Sequence, residues 1–394
     1  MWCRSNTAGY PDRVSIRTGR AVLAAASVVV CATACSFGPP PPDDNGEPPN
    51  LPSPSSSSQA PDASVVVSVI AQDLAVPWGI TFLPDESALV TERDSSRILS
   101  ITPPQNDGAE YTVEEVQTID GVDHTGDGGL LGIAASPEYD KDGTVYIYYT
   151  TDADNRIAAL VPGQDPEPIL TGIPSGETNN GGQLAFGPDG YLYATTGDAG
   201  DADRAQDESD LGGKILRMTT EGKAPDDNPF GDSLVYSLGH RNSEGLAFDR
   251  QGQLFATEFG DESTDEINRI EAGGNYGWPK VEGRGDDKDY IDPVLTFEPQ
   301  EASCAGASFA DSVLLTACLR GERLWTVEFT EKGTVVGEPT ESIAGELGRL
   351  RAVVEAPDGT VWISTSNKDA RGEPRDGDDR IIRVIAGGSA EGAT

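Results

Sequence analysis

The stretch Leu184-Ala-Phe-Gly-Pro-Asp-Gly190 followed by Tyr191-Leu-Tyr-Ala-Thr-Thr196 decides the fold of this chain. An apolar run meets a Pro-Asp-Gly turn and gives way to a second apolar run. Proline presets φ at the turn and glycine accepts a positive φ, so the two runs read as a tight hairpin. The unit recurs. Gly79-Ile-Thr-Phe-Leu-Pro-Asp85 leads to Ala88-Leu-Val-Thr91, and Gly132-Ile-Ala-Ala-Ser-Pro137 leads to Gly143-Thr-Val-Tyr-Ile-Tyr-Tyr149. Leu246-Ala-Phe-Asp249 leads to Leu254-Phe-Ala-Thr257, Ala307-Ser-Phe-Ala-Asp311 to Val313-Leu-Leu-Thr-Ala317, and Val353-Val-Glu-Ala-Pro-Asp-Gly359 to Thr360-Val-Trp-Ile-Ser364. Six copies lie roughly 45 to 65 residues apart, the period of propeller blades. A β-sandwich repeats such hairpins too, but not six times in tandem. The expectation is an all-β, six-bladed β-propeller in which each copy forms the inner part of a four-stranded sheet.

The propeller is expected to span residues 64–385. The run Val65-Val-Val-Ser-Val-Ile70 alternates as a strand does and should pair with Arg380-Ile-Ile-Arg-Val-Ile385, closing the ring and removing exposed strand edges. Residues 386–394 read as a loose tail. With 394 residues, 46 of them glycine, and no long helical periodicity, nothing in the composition opposes an all-β chain.

Before the propeller comes a targeting segment. Arg13, Arg17 and Arg20 precede a small and apolar run, Ala21 to Ala34, which is too short for a lasting transmembrane helix. It ends Ala32-Thr33-Ala34-Cys35, similar to a lipoprotein box, so residues 1–34 read as a signal peptide and Cys35 as a lipidation site. Simple secretion is the alternative. Residues 35–63, rich in proline, serine and acids, cannot bury a core and read as a tether. The expected location is the outer face of the cell membrane, with contact to the membrane only through the lipid. Removing residues 1–34 takes away four Arg and one Asp and moves the net charge from −38 to −41. Such acidity excludes nucleic acid as a partner and suits cations. Of five cysteines only Cys304 and Cys318 fall in the propeller. They flank a hairpin, and an exported domain permits a disulfide between them; two buried thiols are the alternative.

The chemistry concentrates between Gly239 and Pro279: Gly239-His-Arg-Asn242, then the acidic loop Glu258-Phe-Gly-Asp-Glu-Ser-Thr-Asp-Glu266, then Gly273-Gly-Asn-Tyr-Gly-Trp-Pro279. A loop so rich in carboxylates, carbonyls and glycines suits a hard cation. An arginine beside it suits an anionic small molecule. This order of motifs resembles the glucose/sorbosone dehydrogenase family, whose members are six-bladed propellers that use pyrroloquinoline quinone (PQQ) and calcium to oxidise sugars. The resemblance implies PQQ and Ca²⁺ as cofactors and a small-molecule sugar as substrate, and leaves the electron acceptor open. It implies hydride transfer from sugar C1 to the quinone, with a base taking the hydroxyl proton.

On that resemblance Arg241 and Asn242 match cofactor and substrate contacts. Gly260 and Asp261 match a loop whose carbonyls hold calcium. Asp265, Glu266 and Tyr276 either bind metal or satisfy the loop's own backbone. Asp127, just before Gly128-Gly-Leu-Leu-Gly132, matches a cofactor contact, and Lys368 and Arg371 in Ser366-Asn-Lys-Asp-Ala-Arg-Gly372 are placed to pair with cofactor carboxylates. Arg349 and Arg351 are weaker candidates. One departure stands out. Where the family reads His-Asn-Gly-Gly this chain reads Asn179-Asn180-Gly181-Gly182, so the catalytic base position holds an amide with no useful basicity. Asp198, His124 and His240 are the candidate replacements. Two functions compete: a PQQ-dependent sugar dehydrogenase with a substituted or weakened base, and a non-catalytic propeller that binds a carbohydrate or protein ligand.

Overall fold

A computed structural model describes residues 66–385 except 107, 108, 262 and 286. The signal peptide, Cys35, the tether and the tail lie outside the described residues. Six four-stranded antiparallel sheets follow one another along the chain. In each, the first two strands are the two halves of a repeat copy. In blade 3 they are Leu184–Phe186 and Leu192–Thr195, paired Leu184↔Ala194 and Phe186↔Leu192. In blade 4 they are Ser243–Phe248 and Leu254–Glu258, and in blade 5 Cys304–Ala310 and Val313–Cys318.

Blade 6 takes its strands Leu350–Glu355, Val361–Thr365 and Ile381–Ile385 from the end of the chain and its outermost strand, Val66–Ala71, from the front. The register runs Val67↔Val384 and Ser68↔Arg383. The ring is therefore closed by main-chain hydrogen bonds between the two ends of the domain.

The apolar positions of each repeat meet those of the next blade, so the core is divided among the interfaces. Leu89, Ile98, Leu130 and Ile147 pack between blades 1 and 2. Tyr193, Ile215, Leu246 and Ala256 pack between blades 3 and 4. Ala88, Leu99, Trp362 and Ile381 pack between blades 6 and 1, which adds an apolar seal to the closing strand. Burying a side chain of this size is worth about 1.5–3 kcal/mol. Toward the axis the backbones come close. A Cβ on Gly132 would stand 2.2 Å from the Gly182 carbonyl oxygen, so the inner strand of blade 2 needs glycine there. Outermost strands such as Thr112–Thr118 are mostly exposed.

Cys304 and Cys318 face each other in the first hairpin of blade 5 and form a disulfide. Ala302, Phe297 and Trp325 pack round it.

Candidate active site

In an antiparallel blade the start of the first strand and the end of the second lie at one end of the channel. That end gathers Thr178-Asn179, Arg241-Asn242, Phe259-Gly-Asp261, Ser303, Leu319-Arg320, Arg349, Arg351, Asp127 and Arg371 round a cavity of about 280 Å³. Five arginines line it against four carboxylates: Asp127, Glu244, Asp261 and Asp265.

Arg241 sits on the blade 4 loop. Its Nη1 donates to the Gly260 carbonyl at 2.7 Å and the Phe259 carbonyl at 3.3 Å, and its Nη2 to Asp261 Oδ1 at 2.8 Å. Arg351 is buried, donates to Glu244 Oε2 at 2.8 Å, and lies 5.2 Å from the Trp78 ring centre. Its Nε has no partner among the described residues. Arg349 grips Asp369 through Nε and Nη2 at 2.9 and 2.8 Å. Burial would raise the Asp369 carboxyl, but the Arg349 guanidinium outweighs it and holds the pKa below the ordinary value. Arg371 reaches across to Asp127 Oδ1 at 2.6 Å, and that hydrogen bond raises the guanidinium's pKa. Arg320 forms no ion pair among the described residues.

Asn242 is buried and fully used. Its Nδ2 donates to Glu244 and its Oδ1 accepts the Gly181 N–H, both at 3.0 Å, which ties blade 3 to blade 4. Asp265 lines the cavity while its two oxygens accept the Gly260 and Ser303 N–H groups at 2.8 and 2.6 Å. Burial raises its pKa.

Asn179 has φ 58°, a left-handed conformation that asparagine tolerates. Close backbone packing sets it: a Cβ on Gly197 would stand 1.9 Å from the Asn179 carbonyl oxygen. Its Nδ2 donates to Asp198 Oδ1 at 2.9 Å. Asp198 lies behind Asn179, not on the cavity wall, and also accepts from Gly200 N–H and Trp278 Nε1.

Below this end lies a second polar cluster. Glu258 and Glu266 are direct cross-strand neighbours in blade 4, both buried. Burial and the Glu258 charge push the Glu266 pKa up to about 8. Asn268 donates to both carboxylates, at 3.4 and 2.9 Å, and its buried Oδ1 has no partner among the described residues.

Several sequence expectations change here. Lys368 does not line the cavity; its Nζ donates to the Leu74 carbonyl at 3.1 Å. The Tyr276 hydroxyl is committed to the Arg269 carbonyl and the Glu271 N–H, and its ring packs on His240, so the side chain offers no metal ligand. The Gly260 carbonyl is taken by Arg241. Neither histidine replaces the missing base. His240 is buried between Ser237 and Glu258 at 2.8 Å on each ring nitrogen, and His124 is exposed on a loop outside the lining. Arg320 and Glu244 were invisible to motif reading. Their signals, two residues after Cys318 and two after Asn242, emerge only once the blades are in register.

The fold is a six-bladed propeller whose channel mouth is lined by arginines. The chain belongs to the glucose/sorbosone dehydrogenase family, whose sequence model matches residues 74–373. It is similar to the PQQ-bound aldose sugar dehydrogenase of Streptomyces coelicolor, at 43% identity over 82% of this chain and 99% of that one, with a TM-score of 0.77. Quinoprotein glucose dehydrogenase B of Acinetobacter calcoaceticus is 34% identical over 275 residues, 60% of this chain and 57% of that protein, so the match spans little more than half of that relative. Aldose sugar dehydrogenase YliI of Escherichia coli is 26% identical over 351 residues, 79% of this chain and 92% of that protein.

Proposed function

We propose that this chain oxidises an aldose sugar with PQQ held in the channel-mouth cavity. The observation that carries the reading is the convergence of five guanidinium groups there, of which Arg320 forms no ion pair and the buried Arg351 Nε has no partner among the described residues. A tricarboxylate fits such a wall because each carboxylate finds a guanidinium in a poorly solvated place. Arg241, Arg320, Arg349, Arg351 and Arg371 would hold it. PQQ, when bound, supplies a two-electron acceptor for hydride leaving sugar C1. Proton removal falls to the protein, and here the chain is weak: Asn179 has no basicity, and Asp198 is screened behind it with both oxygens engaged. Slow turnover follows.

Calcium fits the Glu258, Glu266 and Asn268 cluster. Two buried carboxylates side by side, with an orphaned amide oxygen, are the donor set of an oxygen-binding cation. Among the described residues no group of three or more His, Cys, Asp or Glu converges, so such an ion would complete its shell with amide or carbonyl oxygens.

The Asn179 position favours one further reading, a propeller that binds a carbohydrate or protein ligand without turnover. Reconstitution with PQQ and Ca²⁺, followed by dye reduction across an aldose panel, separates the two. PQQ binding with sugar-dependent reduction supports the dehydrogenase; absence of PQQ binding by quinone absorbance leaves the binding propeller. Export and lipid anchoring at Cys35 are supported by the signal-like segment and by the Cys304–Cys318 disulfide, which belongs to an oxidising compartment. Labelling with a radiolabelled fatty acid in cells, lost in Cys35→Ser, tests the anchor.

A further inference from the structure

The blade 3 corner of the cavity is organised from behind. A carboxylate accepts hydrogen bonds and does not donate them. Asn179 therefore turns its Nδ2 to Asp198, and its Oδ1 is left for the cavity. Asp198 is only 2% exposed. Gly200 N–H donates to its Oδ1 at 2.8 Å and Trp278 Nε1–H to its Oδ2 at 2.9 Å, while its own N–H donates to the Arg241 carbonyl at 2.8 Å. Trp278 is itself pinned. Its N–H donates to the Gly239 carbonyl at 3.0 Å, and its carbonyl accepts Gln206 Nε2 at 2.7 Å. The Arg241 guanidinium carbon lies 5.5 Å from the centre of its ring. One indole thus touches Arg241 with its face and, through Asp198, steers Asn179 with its edge.

We propose that Trp278 is the positioning residue of this corner, holding Asp198 so that Asn179 presents Oδ1 to the cavity as an acceptor for a ligand hydroxyl. The identity of that hydroxyl, a sugar's, rests on the function proposed above; the positioning does not. An amide oxygen grips an O–H without removing its proton, so position 179 recognises substrate in this chain. Backbone strain does not compete, because asparagine accepts the left-handed φ there.

Two measurements test this. The first needs neither sugar nor cofactor. In Asn179→His the chain carries one imidazole beyond the two native ones, and NMR titration follows it against them. Adding Trp278→Phe keeps an aromatic ring beneath Arg241 and removes the N–H together with the indole's second ring. Asp198, with one donor fewer, then attracts an imidazolium more strongly, and the introduced imidazole's pKa should rise by ~0.3 unit or more. A merely structural tryptophan would lower the melting temperature and leave that pKa within about 0.1 unit, which overturns the positioning role. The second compares D-glucose with methyl β-D-glucopyranoside, which lacks the anomeric O–H, by anaerobic calorimetry on protein loaded with PQQ already reduced to the quinol, so that neither sugar can be oxidised. One hydrogen bond predicts a preference for D-glucose of about 3- to 10-fold. It should vanish in Asn179→Gly, which tolerates the same φ, and shrink in Trp278→Phe. A preference that survives both substitutions overturns the acceptor role. If neither sugar binds wild-type protein while the imidazole still responds to Trp278→Phe, the sugar reading falls and the positioning stands.

Discussion

Two walls of one cavity contrast. The wall from blades 4 to 6 carries Arg241, Arg320, Arg349, Arg351 and Arg371, and most of these are tied to a carboxylate or carbonyl. The wall from blade 3 offers Thr178 and Asn179 and no carboxylate; Asp198, which the amide bonds, lies behind it. The first wall is equipped for holding charge; the second lacks the group that would move a proton. Binding and chemistry are therefore separable here, and each can be altered alone.

The largest effect should come from supplying the missing base. Asn179→His places an imidazole against Asp198, which fixes one nitrogen as donor and leaves the other bare toward the cavity. Sugar oxidation should rise about 10²- to 10⁴-fold with PQQ affinity little changed. Steady-state rates beside a PQQ titration check this, and a rise below tenfold breaks the contrast between the walls. Next in size is the opposite wall. Arg351→Met strands the buried Glu244 charge and should cost about 3–5 kcal/mol of stability, with loss of PQQ binding, read by denaturant unfolding and quinone absorbance.

A smaller effect concerns the cluster beneath. Burial and the neighbouring Glu258 charge raise the Glu266 pKa from its ordinary 4.5 to about 8, so the metal-free fold is fully supported below about 4.5 and loses stability as pH climbs toward 8. Melting temperatures in EGTA should fall across that window, added Ca²⁺ should restore them most at the alkaline end, and Glu266→Gln should flatten the dependence. A pH-independent melt that ignores calcium counts against an ion there. The smallest effect sharpens the edge of the anion wall. Lys368→Ala should change PQQ affinity less than about twofold, because Nζ is spent on the Leu74 carbonyl, whereas Arg371→Ala should weaken it by about tenfold. Equal losses would extend the wall to Lys368.

How far the sequence carried the reading follows from what sets each feature. Blade number is legible because each hairpin repeats a local signal, an apolar run against a Pro/Asp/Gly turn, that tertiary packing reinforces. Arg241, Asn179 and Asp127 are legible because the short motifs that carry them resemble those of the family, each just ahead of a repeat hairpin. Lys368 and Tyr276 misled because a loop side chain's direction depends on neighbours that the local sequence does not specify: Leu74 arrives from the start of the domain, and Tyr276 turns back onto Arg269 of the strand before it. The pairing of Glu258 with Glu266 was within reach, since strands joined by the loop between them bring those two residues opposite each other. The orphaned Asn268 oxygen was not, because only side-chain packing shows which acceptor goes without a donor.

The latch between Val66–Ala71 and Ile381–Ile385 also has a consequence in time. Ser68 and the Arg383 carbonyl that it meets are 315 residues apart. At about 5–20 residues per second, a ribosome takes roughly 15–60 s to make the second partner after the first. During that interval five blades can form while the sixth cannot, and the newborn chain carries an unclosed seam. Under the export proposed above, such a delay would keep the domain open for passage, because the strand that completes it is made long after its partner.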